Sequence, residues 1–145
     1  MYYYLRNKKV FVSFDYDNDR NYYYLLKGWD ANKRFEFSFS DYTSKEIKSD
    51  NIIVVKQKLS QKINQADITL VIIGKHSNDL HEDSKLIGYR NWQNYEIAKS
   101  VEHGNKLVAV KIDRSYDSPE ELLGQGASFA MSFTEQSITK ALENN

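Results

Sequence analysis

Two hydrophobic rhythms take turns along this chain, one of period two or unbroken, the other near 3.6 residues. The first strand-like run is Lys9-Val-Phe-Val-Ser-Phe14, ending in an acidic turn, Asp15-Tyr-Asp-Asn-Asp19. Arg20 to about Trp29 reads as a helix, with Asp19 as its N-cap and Tyr22, Leu25, Leu26 and Trp29 on one stripe. Arg34 to Ser40 alternates strictly, as an edge strand with one wetter face does. Asp41 to Asn51 is a polar loop, and Ile52, Val55, Leu59 and Ile63 space a helix from Ile52 to Asn64. The unbroken apolar run within Asp67 to Gly74 predicts a strand buried on both faces, at the sheet centre. Lys75 to Arg90 has no period, and a connection of that length is either functional or mobile. A helix from Asn91 to His103 stops at Gly104, in the position of a C′ glycine. A strand from Leu107 to Ile112 follows, then a helical turn opened by Ser118-Pro119, a strand from Ser128 to Phe133 and a helix from Thr134 to Glu143.

Strands alternating with helices predict a parallel sheet covered on both faces. Five such strands with right-handed crossovers give the order 2-1-3-4-5, a flavodoxin-like three-layer α/β sandwich formed by one domain over residues 1–145. The winding reverses between strands one and three, which opens a crevice at their carboxyl ends. Ser13 to Asp17, the loop after Gly74 and the helix start after Asn91 are the candidate ligand contacts.

Bulk properties narrow the classes. Twenty basic and twenty acidic residues give no net charge, which argues against general nucleic-acid binding. No segment approaches the roughly 20 apolar residues of a membrane span, the first residues lack a secretory core, and a cytoplasmic location is expected. The absence of cysteine removes thiolate catalysis, disulfides and Cys-ligated zinc together.

On the helix from Asn91, Ile97, Ala98 and Val101 should face the sheet, while Trp92 and Glu96 lie i, i+4 on another side. An aromatic platform and a carboxylate would then share one wall of the crevice, with the helix N-terminus favouring the ionised carboxylate. The plainer alternative is a solvated surface glutamate and a tryptophan that staples the loop. The acidic turn starts like a calcium loop but has Arg20 where the sixth position needs Gly and Leu26 where the twelfth needs Glu, so no metal site is expected. A phosphoryl-accepting aspartate at the end of strand three is missing, since Ile73 and Gly74 stand there. A phosphate-binding turn wants Gly, Ser and Thr where this chain has Asp15, Asp17 and Asp19. His76, His81 and His103 have no Ser or Cys partner at a catalytic spacing; the first two lie in the long loop, within reach of a ligand.

Two stretches carry a resemblance. Val10-Phe-Val-Ser-Phe-Asp-Tyr-Asp-Asn-Asp-Arg20 resembles the opening strand and loop of TIR domains, and Gly88 to Lys106 resembles the Trp-x-x-x-Glu helix of that superfamily. The likeness is nearest to the TIR-like proteins of the bacterial Thoeris anti-phage system and runs from about Lys8 to Ile112; the remainder matches by element type alone. It implies a TIR-like fold and cleavage of NAD⁺ at the nicotinamide–ribose bond. The product implied is a cyclic ADP-ribose isomer or a related ADP-ribose signal that switches on a partner effector.

The resemblance places the catalytic glutamate on Glu96 and the motif tryptophan on Trp92. Ser13, Phe14 and Asp15 fall at the ligand-facing end of strand one, and Asp41 at the start of the family's flexible loop. Gly74, Lys75 and His76 complete the expected substrate contacts by their position at the end of strand three beside the crevice, and, since the acidic turn is a poor cradle for pyrophosphate, Lys75 and Arg90 are the candidate phosphate donors. NAD⁺ enters as substrate, with no cofactor, and homo-oligomers are expected from the relatives. One carboxylate suffices for this chemistry, because nicotinamide leaves neutral without a general acid. Asp41 to Asn51 lacks the proline common in signalling TIR loops. A catalytically inert interaction module and a nucleotide sensor that binds without chemistry are the competing readings.

Overall fold

The computed structural model describes residues 8–31, 37–39, 47 and 50–144. Five strands, β1 (Lys8–Ser13), β2 (Phe37–Phe39), β3 (Ile68–Ile73), β4 (Lys106–Lys111) and β5 (Ser128–Ala130), pair in parallel in the order β2-β1-β3-β4-β5. The helices are α1 (Tyr16–Ala31), α2 (Ile52–Gln65), α3 (Ser84–Ile87), α4 (Trp92–His103) and α5 (Glu135–Glu143), with a 3₁₀ turn at Glu120–Leu122.

The pleat sorts the core by residue parity. Even-numbered Val10, Val12, Leu70, Ile72, Val108 and Val110 pack with Tyr23 and Leu26 of α1 and with Ile138 and Leu142 of α5. Odd-numbered Phe11, Val71, Ile73, Leu107 and Ala109 meet α2 and α4 through Leu59, Ile63, Tyr95 and Ile97. All six residues of β3 are buried, as its unbroken apolar run requires. Parity also sends the Ser13 side chain to the α4 face and Phe14 to the α1 face. The site depends on that split.

Caps set several boundaries. The Asn51 side chain accepts from the N–H groups of Ile53 and Val54 at the start of α2, and Thr134 accepts from Ser137 at the start of α5. Gly104 closes α4 at φ 87°, its N–H bonding back to Ser100 and Val101 carbonyls.

Two boundaries differ from expectation. Helix α1 begins at Tyr16, four residues before the predicted Arg20, so Asp19 is not an N-cap. Asp17 and Asp19 lie in its first turn, where acids complement the helix dipole. The buried stripe of α1 accordingly runs through Tyr23 and Leu26, leaving Leu25 exposed. Strand β5 ends at Ala130 rather than Phe133, with Met131 fully outside the core and Ser132 bonded to the Thr134 and Ser137 hydroxyls.

The connection from residue 75 to 90 is held by hydrogen bonds. Asn91 Nδ2 donates to the Ser77 and Asp79 carbonyls at 2.9 and 2.8 Å, Arg90 Nε donates to the Asn78 carbonyl, and the His81 N–H donates to the Arg90 carbonyl. Buried Asn94 donates to Asn78 Oδ1 and accepts from the Glu121 N–H, tying the loop and the 3₁₀ turn to α4. Of the predicted polar loop Asp41 to Asn51, only Ile47, Asp50 and Asn51 are described.

Candidate active site

The carboxyl ends of β1 and β3, the first turn of α1 and the start of α4 enclose a cleft of about 210 Å³. One wall carries Phe14, Asp15, Tyr16, Asp17 and Asn18; the facing wall carries His76, Asp79, Leu80, His81, Asn91, Trp92 and Gln93. Phe14 stacks on Tyr23 at 4.7 Å between centroids, which fixes the first wall to α1. Trp92 is half-buried and meets Tyr95 edge-on at 5.6 Å. Tyr95 is in turn pinned by hydrogen bonds to Ser60 Oγ and the Lys56 carbonyl. The indole is therefore both a cleft wall and part of the α2–α4 packing.

Glu96 does not share that wall. Its side chain is 3 % exposed and turned toward the sheet, where Ser13 Oγ donates to Glu96 Oε1 at 2.7 Å. The sheet-facing stripe of α4 is Gln93, Glu96, Ile97 and Ser100, while Val101, expected on it, is partly exposed. Burial pushes the Glu96 carboxyl up to about 8, against the smaller opposing pull of the Ser13 hydroxyl. The expected ionised state is thus reversed in the free protein at neutral pH. Desolvation outweighs a helix N-terminus one turn away.

Gln93 links the strands above this pair. Its Nε2 donates to the Ile72 carbonyl at 2.8 Å and to the Ser13 carbonyl at 3.2 Å, where β3 and β1 end. Among the described residues its Oε1 is buried without a hydrogen-bond partner. Sequence reasoning missed this residue. The available signal was its i, i+3 spacing from Glu96 on a helix whose first turn meets the strand ends.

Asp19, also missed except as a cap, lies against Gly74. A Cβ at Gly74 would overlap the Asp19 carboxyl group, so glycine is required there by close approach. Burial first, and then the neighbouring Asp15 charge, raise the Asp19 carboxyl to about 6, with His76 opposing. Gly74→Ala is expected to lower stability by roughly 1–3 kcal/mol, read as a lower urea midpoint. An unchanged midpoint would show that the first turn of α1 yields freely.

Of the remaining predicted contacts, His76 lines the cleft, its Nδ1 2.7 Å from Asp79 Oδ2. Lys75 is exposed, and neither it nor Arg90 lines the cleft. Asp41 lies outside the described residues. Among the described residues no group of three or more His, Cys, Asp or Glu side chains is arranged to hold a metal ion. No described helix is long and apolar enough to cross a membrane.

Residues 11–117 match the family model described as Thoeris protein ThsB, TIR-like domain. The chain belongs to this family. The ThsB match runs from within β1 past the end of β4 and includes every cleft residue named above. A ThsB relative from Bacillus cereus (strain MSX-D12), ThsB1, named there as a candidate cyclic ADP-D-ribose synthase, is 26 % identical over 127 residues. The alignment covers 82 % of this chain and 59 % of that protein, so the chain spans less than two thirds of the relative's length. Two solved structures share the fold. A 2-deoxyribosyltransferase from Bacillus psychrosaccharolyticus superposes with a TM-score of 0.58 at 13 % identity, covering 89 % of this chain and 90 % of that one. A prokaryotic SEFIR domain gives 0.53 at 14 % identity, covering 92 % and 86 %.

Proposed function

We propose that this ThsB-family chain cleaves NAD⁺ between nicotinamide and ribose and forms a cyclic ADP-ribose isomer or a related ADP-ribose signal in antiviral defence. The observation that carries the reading is the Ser13–Glu96 pair. Neither Ser13 nor Glu96 lines the cleft itself; the pair is joined to it through Gln93, which does line it and whose Nε2 donates to the Ser13 carbonyl. Membership in the ThsB family and the name of its ThsB1 relative support the substrate class.

In this scheme the C1′–N bond breaks with its electron pair passing to the ring nitrogen, and nicotinamide leaves neutral. Ionised Glu96 stabilises the cationic ribose left behind. A positive ligand brought close draws the carboxyl back toward its ionised form, so substrate binding itself prepares the charge. Burial keeps water from the site and favours attack by a second group of the same nucleotide.

The burial of Glu96 also favours a second reading, a cleft that binds a nucleotide without consuming it. Chromatography of nicotinamide released from NAD⁺, with mass spectrometry of the products, separates the two. Turnover lost in Glu96→Gln supports the enzyme; calorimetric binding with the ligand recovered intact supports the sensor.

A further inference from the structure

Three features of the cleft converge on one kind of ligand. The first is charge. Among the described residues its lining carries the carboxylates of Asp15, Asp17 and Asp79 with the imidazoles of His76 and His81, and no lysine or arginine. Even with both imidazoles protonated the sum stays negative, and buried Asp19 adds to it from behind Gly74. Arg20 stands over the Tyr16 ring at 5.3 Å to its centroid and, like Lys75 and Arg90, does not line the cleft. The second is aromatic surface: Trp92, Phe14 and Tyr16 line the cleft, with one face of Phe14 stacked on Tyr23 and one face of Tyr16 under Arg20, and an aromatic face left open, above all that of Trp92, attracts a positive ring.

The third is Gln93. Two strand-end carbonyls can only accept, so the hydrogen bonds themselves assign the amide, with its NH₂ toward the sheet. Oε1 is left as an acceptor, 96 % of the residue is buried, and no described group donates to it. A native structure seldom leaves such an atom unpaired. A donor brought by a ligand is the partner that fits.

We infer that Gln93 is a specificity-determining residue whose carbonyl oxygen accepts an N–H from the ligand's ring substituent, in a cleft whose charge selects a cationic ring over its neutral counterpart. The ligand class is a carboxamide-bearing pyridinium. The inference rests on the NAD⁺ reading for its biological ligand, but its chemistry holds for any such cation. It also accounts for release, since a ring that becomes neutral on leaving loses the attraction that held it.

Small probes that cannot be turned over test this apart from catalysis. The full chain is titrated by NMR with 1-methylnicotinamide, with neutral nicotinamide, and with 1-methyl-3-acetylpyridinium, which keeps shape and charge but has no N–H. The expected order places 1-methylnicotinamide about tenfold or more tighter than either of the others. In Gln93→Leu the preference for carboxamide over acetyl should collapse toward one, whatever the absolute affinity. In Asp15→Asn and Asp79→Asn the preference for cation over neutral ring should shrink.

Equal binding of the carboxamide and acetyl cations by the wild type overturns the role of Gln93, without need of any variant. Equal binding of charged and neutral nicotinamide overturns charge selection, and so does failure of both cations to bind. Selective binding with no nicotinamide released from NAD⁺ would sink the enzyme and leave this inference standing; turnover without selective binding would do the reverse.

Discussion

Glu96→Gln is expected to lower nicotinamide release by about a hundredfold or more under conditions where the wild type turns NAD⁺ over. In the proposed mechanism the loss arises because an amide of the same shape cannot carry the negative charge that would stabilise the developing ribose cation. The pH profile adds a second, sharper mark. With the free carboxyl raised to about 8, only about a tenth of the protein is ionised there at pH 7. The quantity kcat/KM reports the free enzyme, so it should climb about tenfold per pH unit up to about 8 and then level. Glu96→Gln should show no such limb. Equal turnover by the two proteins would remove Glu96 from the chemistry, and a flat wild-type profile would mean that ionisation of Glu96 does not limit the reaction.

The same substitution is expected to stabilise the fold, increasingly so as pH rises. The folded pKa of about 8 lies above the reference value of 4.5. Between those values the folded chain holds a proton that the unfolded chain has released. Stability therefore falls with rising pH across this window, is untouched below it and loses no more above it. The slope approaches about 1.4 kcal/mol per pH unit, and between the reference value of 4.5 and the folded value of about 8 the penalty accumulates to about 4–5 kcal/mol. Removing the carboxyl should recover most of that at pH 8 and almost nothing near pH 4.5. Asp19 titrates in the lower part of the same range, so the informative quantity is the difference between variant and wild type at each pH. Urea midpoints measured in parallel would show it; a difference that does not change with pH would mean that the carboxyl is solvated in solution. Activity gained at the expense of stability is the general pattern for a charge kept out of water.

Much of the frame was legible because the core is sorted by parity. The unbroken run of β3 and the spacing of Val55, Leu59 and Ile63 on α2 are direct records of burial, and the structure buries those residues. Trp92, Phe14, Asp15 and His76 come together in one cleft because they follow strand ends or start a helix. The misreadings share a cause. Periodicity assigns the sheet-facing side of α4 to apolar residues, yet Gln93, Glu96 and Ser100 occupy it. They are accommodated by Ser13 Oγ, by the carbonyls that β1 and β3 leave at their ends, and by Thr69 Oγ1. None of those partners lies near them in the chain. The connection from residue 75 to 90 looked shapeless for the same reason, since Asn78, Asn91 and Asn94 order it through side-chain bonds that have no period. The acidic run before Arg20 read as a turn because three aspartates oppose a helix interior, whereas in a first turn they suit it.

The placement of the two indoles has a practical consequence. Trp29 packs against Phe133 in the α1–α5 layer, while Trp92 borders the cleft, and the chain has no third. Replacing Trp29 with phenylalanine would leave a single indole, at the mouth of the site, whose emission can be excited apart from the eleven tyrosines by light beyond their absorption band. A pyridinium that settles against that ring would quench it, so occupancy becomes visible as lost light, with no label attached.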